Sequence, residues 1–243
     1  VPSRPTVPDE PGAATGQVAR WERHNSERQS LILKAAVELL EESPAGADVP
    51  VQQIAKRAGF AKSVVYRQFN GREDLDRRIR SYVADDFAKT LDTKLNIADG
   101  SLEELLTRTV RTVADWIADN PRLLEFMRTG PTDDDDTNID AVASVKARIA
   151  RRARDIIESV TVLIGVDSTG FESLPFAVVT MVEGSLTHWV RDPDAEKSRA
   201  EIVDDLATYA WFVLDGACRS VGLDVDPKGR LVDVIKLMTE VKR

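Results

Sequence analysis

The sequence holds one cysteine, Cys218, in 243 residues. No disulfide can form within these residues, and no cysteine-rich zinc site is available. A free cysteine in an apolar neighbourhood reads as a packed, reduced thiol, which leads us to expect a cytoplasmic protein. Histidine is almost as scarce: His24 and His188 are far apart in sequence, so no metal constellation is expected and no cofactor either. The run of aspartates at 133–136 lacks the ligand spacing of a calcium loop and reads as a solvated loop. No glycine-rich phosphate loop occurs, and no nucleophile–base arrangement suggests an enzyme. No uninterrupted apolar run approaches the ~20 residues of a membrane span. The opening "VPSRPTVPDEPGAATG" has four prolines and no apolar core, so it reads as a disordered arm over residues 1–20 rather than a signal peptide. Strand alternation and fixed-period repeats are missing as well.

What remains is helical periodicity. With 42% apolar residues the chain can bury a substantial core. "NSERQSLILKAAVELLEES" places Leu31 or Ile32, Ala35, Ala36, Leu39 and Leu40 on one face, with Asn25 or Ser26 to cap it. "VQQIAKRAG" turns Ile54, Ala55 and Ala58 inward and ends on Gly59. "AKSVVYRQF" sets Val65 and Phe69 one turn apart. "NGRED" offers Asn70 as a cap and Glu73 as its capping-box partner for a fourth helix reaching about Leu91. Later helices are expected from Ser101 to Pro121, from Pro121 onward, and over about 139–164, 171–190, 195–221 and 231–241. Three short helices, the second and third joined by a tight glycine turn, describe a helix-turn-helix.

Charge singles out the same segment. The chain carries a net charge of -8, yet from Ala55 to Arg80 eight basic residues face three acidic ones. A local basic footprint is what DNA binding requires, although a solvated helix surface has the same composition.

These residues resemble a known family. "RQSLILKAAVELL", "VPVQQIAKRAGFAKSVVYRQFNGREDL" and the Ala35–Ala36, Ala58–Gly59, Tyr66, Phe69 and Leu75 register are similar to the DNA-binding domain of the TetR (tetracycline-repressor-like) transcriptional regulators, over Arg28 to about Ser81. The resemblance implies an all-α protein: a three-helix DNA-binding domain over 21–89, then a larger helical effector-binding and dimerisation domain over 90–243. It implies double-stranded operator DNA as a partner and contacts from Gln52, Lys62, Ser63, Val64, Tyr66, Arg67, Gln68 and Arg72. Ala61 departs from the family pattern, in which a hydroxyl residue caps the third helix.

The resemblance further implies a homodimer built on the two long helices near 171–190 and 195–221. Both are apolar on more than one face, which agrees. A small apolar effector would sit among the helices of the second domain. Candidate lining residues are Trp116, Phe126, Met127, Ile157, Phe176, Met181 and Trp189, with Glu183 and His188 as polar groups among them. The expected function is a ligand-responsive regulator, a repressor released from its operator by an apolar molecule. A helical DNA-binding or interaction protein without an effector stays open beside it, as does an enzyme on a helical scaffold. Lys146, Arg148, Arg151, Arg152 and Arg154 read as solvated surface, or else as a landing site for an anionic head group.

Overall fold

The computed structural model describes residues 12–44, 47–95, 100–129 and 141–241, with side chains from Ser26 to Lys236. Among these residues the regular structure is helical: ten α-helices and one 3₁₀ turn, without a strand. The all-α expectation is met. The aspartate run at 133–136 lies outside the described residues, and so do residues 1–11 of the expected arm.

Two compact units divide the chain, residues 1–79 and 80–243. The first contains α1 (Gly12–Glu42), α2 (Val51–Arg57), α3 (Lys62–Gln68) and the start of α4 (Gly71–Lys94). The first helix begins thirteen residues before the expected cap at Asn25. After Pro11 the sequence is rich in Ala, Gln, Arg and Glu, all strong helix formers, so Asn25 and Ser26 fall inside the helix. α1 packs on α2 and α3. Ile32, Ala36, Ile54, Val65, Phe69 and Leu75 are essentially removed from solvent. Each large side chain buried in this way contributes about 1.5–3 kcal/mol.

The turn between α2 and α3 is set by backbone chemistry. Phe60 N–H donates to Ala55 O at 2.9 Å and Gly59 N–H to Lys56 O at 3.2 Å, the paired bonds of a Schellman motif. That motif needs a left-handed residue at Gly59, whose φ is 76°. α3 then starts on Ala61, which supplies no side-chain cap.

At the start of α4 the expected Asn70–Glu73 box is replaced. Asn70 N–H donates instead to Asp74 Oδ2 at 2.9 Å. Gly71 is the first helical residue, with φ of 91°, which shifts the register of the capping acid by one residue. Burial pushes the Asp74 carboxyl up, but the Asn70 N–H and the Arg77 and Arg78 guanidinium groups outweigh it and hold the carboxyl below its ordinary value. A depressed carboxylate stabilises the fold above its unfolded pKa, and that contribution fades as pH falls through the lower folded value. Asp74→Asn is therefore expected to make the acid limb of a pH–melting curve shallower below about pH 4. An unchanged limb would assign acid sensitivity to other groups.

The second unit contains the rest of α4, α5 (Leu102–Asp119), α6 (Pro121–Arg128), α7 (Ala141–Ile164), α8 (Leu174–Arg191), α9 (Arg199–Ser220) and α10 (Leu231–Val241). Ser101 and Glu104 form the expected capping box of α5. A second box, Ser198 with Glu201, starts α9 four residues later than the composition suggests. Pro175 sits in the first turn of α8, so the segment from Thr169 to Phe171 forms a 3₁₀ turn instead of joining the helix. α5, α8 and α9 enclose a core of Val110, Ala114, Ile117, Val182, Leu186 and Val203. α10 packs on α7, and Leu231 N–H donates to Gly100 O at 3.1 Å. No described helix is long and apolar enough to cross a membrane.

Candidate functional site

α3 is anchored from below and open above. Val65 and Phe69, one turn apart, are 1% and 3% exposed. The spacing turns Lys62, Ser63, Tyr66 and Arg67 to solvent, while Val64 and Gln68 are half-buried. Tyr66 is 46% exposed, and the Lys62 ammonium lies 5.7 Å from its ring centroid, a cation–π arrangement. Gln52 is exposed on α2. The Gln68 Oε1 is buried without a partner among the described residues, and its backbone carbonyl accepts from Gln29 Nε2 at 3.5 Å.

The basic run resolves into two groups. Arg57 pairs with Glu42 and Glu38, and Arg77 and Arg78 pair with Asp74. Arg72 is the most committed: Nε bonds Asp76, Nη1 donates to Val49 O at 2.7 Å, and Nη2 pairs with Asp48 at 2.9 Å. Its guanidinium ties the segment ahead of α2 to the first turn of α4. Lys56, Lys62 and Arg67 are exposed, and none has a carboxylate partner among the described residues. Lys56 was not singled out by the sequence; the charge run contained it but did not separate it from the paired arginines.

The second unit contains two adjoining cavities with apolar walls. The inner one, about 110 Å³, is lined by Phe87 of α4, Val110, Val113 and Trp116 of α5, Met127 of α6, Lys146 of α7 and Glu183 of α8, among others. The outer one, about 240 Å³, lies between α5, α7 and α8 and is also lined by Leu214 and Cys218 of α9 and by Leu231, Val234 and Ile235 of α10. Leu106, Thr109, Ile149, Val178 and Val179 line both. The Phe87 and Trp116 rings stack with centroids 4.6 Å apart. Burial pushes the Cys218 thiol up, and the nearby Asp215 carboxylate adds to the shift.

Of the residues singled out in the sequence, Trp116, Met127 and Glu183 line the inner cavity and Ile157 the outer one. Phe126 lies under the Arg80 guanidinium, 4.7 Å away. Met181 and Trp189 pack against the α5–α8–α9 core, and the Trp189 indole donates to Lys197 O. Phe176 and His188 are exposed on α8. Phe87, Ile149, Val178 and Cys218 were missed, because a stripe facing a void has the same periodicity as one facing a core. Among the described residues no cluster of three potential metal ligands occurs.

Comparison with known proteins agrees with this architecture. The family model for bacterial regulatory proteins of the tetR family matches residues 32–79. No curated protein matches the chain. Among solved structures, a tetR-family transcriptional regulator from Streptomyces coelicolor is 18% identical, covering 88% of this chain and 89% of that one at a TM-score of 0.62. A TetR-like transcriptional regulator from Rhodococcus sp. RHA1 is 19% identical, covering 78% and 96% at 0.52. The transcriptional regulator FadR from Bacillus subtilis, in complex with stearoyl-CoA, is 16% identical, covering 74% and 96% at 0.52. The family model thus covers the helix-turn-helix unit, and the fold over most of the chain is that of tetR-family transcriptional regulators.

Proposed function

We propose that the protein is a homodimeric repressor that holds operator DNA through α3 and releases it when an apolar small molecule fills the cavities of the second unit. The observation that carries this reading is the coexistence, in one chain, of an exposed basic–aromatic helix and a walled apolar cavity. α3 meets the requirements of a major-groove reader: a small polar face over a packed underside. Lys62 and Arg67 suit guanine or phosphate, Ser63 and Gln52 suit the backbone, and Val64 suits a thymine methyl. Neither cavity alone, but the two together, reach the ~300 Å³ at which small-molecule pockets begin. The same fold holds stearoyl-CoA in FadR, a ligand with a long apolar chain.

Two exposed faces support the dimer. Phe176, Ala177, Thr180, Gly184 and His188 share one face of α8, and Tyr209, Phe212, Val213 and Gly216 share one face of α9. A Cβ added at Gly184 or Gly216 meets nothing within 4 Å, so these glycines leave room that a second helix would use. The coupling element is α4. Its Leu75 and Ile79 are buried residues of the DNA-binding unit, and its Phe87 lines the inner cavity. An effector that moves Phe87 acts on the helix whose first turn Arg72 fixes, and it shifts the DNA-binding equilibrium only by its preference for one of the two states.

The test is selection of bound duplexes from a random-sequence pool, followed by affinity measurement. Wild-type protein is expected to enrich a two-fold symmetric site. Tyr66→Ala is expected to weaken binding to it by ~1–3 kcal/mol, the size of a lost groove contact, with an unchanged melting temperature because the ring is exposed. With Lys56, Lys62 and Arg67 of each protomer on phosphate, the slope of log K against log salt is expected near roughly -5. A pool from which no sequence is enriched would refute the reading.

A further inference from the structure

The walls of the two cavities are carbon even where polar residues contribute to them. Among the described residues lining the outer cavity, Thr109, Thr161 and Cys218 are those with a polar side-chain atom. Thr109 Oγ1 donates to Leu105 O at 2.7 Å and Thr161 Oγ1 to Ile157 O at 2.9 Å, so both hydroxyl protons return to the helix that carries them. Burial, with Asp215 adding to it, pushes the Cys218 thiol up and so holds it neutral. Lys146 and Glu183 line the inner cavity, but the ammonium meets the carboxylate at 3.4 Å, and Arg128 and Thr187 donate to the same carboxylate. The inner wall exposes no polar surface and the outer wall almost none.

Such walls select by what they refuse. An ion entering them gives up its water and meets no partner, which is the costliest form of burial. An unmet hydrogen-bond donor is refused by the same mechanism at smaller cost. Hydrocarbon surface is favoured in proportion to the area removed from water. The two walls share Leu106, Thr109, Ile149, Val178 and Val179, so one molecule can extend through both cavities.

We propose that the effector is an uncharged, hydrocarbon-bodied molecule without a hydrogen-bond donor, enclosed along its length by both cavities, and that the carboxylate and the amine of the same chain are refused. The proposal rests on reading the cavities as the effector site and adds the chemical class that their walls reject. Selectivity here is a difference between affinities, set by the desolvation of the wrong ligand rather than by a contact to the right one.

The full-length protein, loaded with the neutral dye phenylnaphthylamine, is titrated at neutral pH with methyl decanoate, decanoate and decylamine. The three share one chain and carry no charge, a negative charge and a positive charge. Methyl decanoate is expected to displace the dye, and each ion to be weaker by about a hundredfold or more. Using both signs separates a carbon wall from an electrostatic field, which would favour one ion over the other. Ala153 lines the outer cavity, so Ala153→Phe adds a ring there and is expected to weaken the ester by about tenfold or more. Val160→Phe fills the same cavity and replaces it should that variant fail to fold. Either ion displacing the dye as well as the ester does, an ester that leaves the dye in place, or unchanged ester affinity in a folded, filled variant overturns the proposal, while dye binding to wild type keeps the cavity reading. Failure of wild type to bind the dye overturns both.

Discussion

Phe212→Glu is expected to turn the proposed homodimer into 26.9 kDa monomers that keep their helicity and melting temperature. Phe212 is 62% exposed on α9, so within one chain the substitution touches solvent, where changes are usually worth less than about 0.5 kcal/mol. In a two-fold dimer the same residue enters the interface from both sides. Two carboxylates would then be desolvated without partners, at several kcal/mol each. Association should weaken by three orders of magnitude or more, at about a factor of ten per 1.4 kcal/mol. Operator affinity should fall with it, by roughly 10²–10⁴, because the second recognition helix is no longer tethered to the first. Sedimentation velocity reads the mass, circular dichroism the fold, and a binding titration the affinity. Gly184→Leu approaches the proposed interface from α8 and should behave alike, since a Cβ at this position meets nothing within 4 Å among the described residues. A variant that still sediments at twice the chain mass would move the interface elsewhere.

Arg72→Ala is expected to cost stability before it costs DNA contacts. The guanidinium bonds Asp76, the Val49 carbonyl and Asp48, and the side chain is 33% exposed. Removing it leaves Val49 O and Asp76 without their donor, at about 1.5–3 kcal/mol for bonds to a charged group. For a unit of this size each kcal/mol lowers the melting temperature by about 4–8 °C. Because α4 begins at Gly71, the loss should also loosen the entry to that helix. Family resemblance assigns Arg72 a phosphate contact instead, and the two roles differ in one readout. A phosphate contact released in both protomers makes the salt slope shallower by about two; a clamp lowers the melting temperature and leaves the slope intact. Arg72→Lys sharpens the contrast, since it keeps the charge but not the three-way geometry. A shallower slope with an unchanged melting temperature would assign Arg72 to DNA.

The helix-turn-helix was legible because its signals are local. Gly59 marks a left-handed turn, and Val65 with Phe69 marks the packed side of α3, which leaves Lys62, Ser63, Tyr66 and Arg67 facing out. Helix starts were legible where a hydroxyl and an acid stand three apart, as at Ser101 and Glu104. The same pair stands at Ser198 and Glu201, where the apolar pattern alone puts the start of α9 four residues too early. At Asn70 the motif misled, because Gly71 moves the helix start and hands the capping role to Asp74. The cavity was only partly legible. Trp116 and Phe176 are both aromatic residues on amphipathic helices, yet one stacks on Phe87 and the other meets solvent. Which apolar face borders a void depends on how α5, α7 and α8 diverge, and side-chain periodicity does not encode that. Charge composition likewise could not separate Lys56 and Lys62 from Arg72, since pairing is a tertiary property.

Cys218 gives the protein a native chemical label. It is the chain's one thiol, it lines the outer cavity beside α10, and its raised pKa keeps it protonated near neutrality. Protonated thiols are poor nucleophiles, so the purified protein should resist oxidation and mixed-disulfide formation without added reductant. The slow modification that remains becomes a gauge of access. Cys218 is half-buried against an apolar wall, so a small uncharged alkylating reagent should react faster than a charged one of similar size. Filling the cavity should suppress the faster of the two.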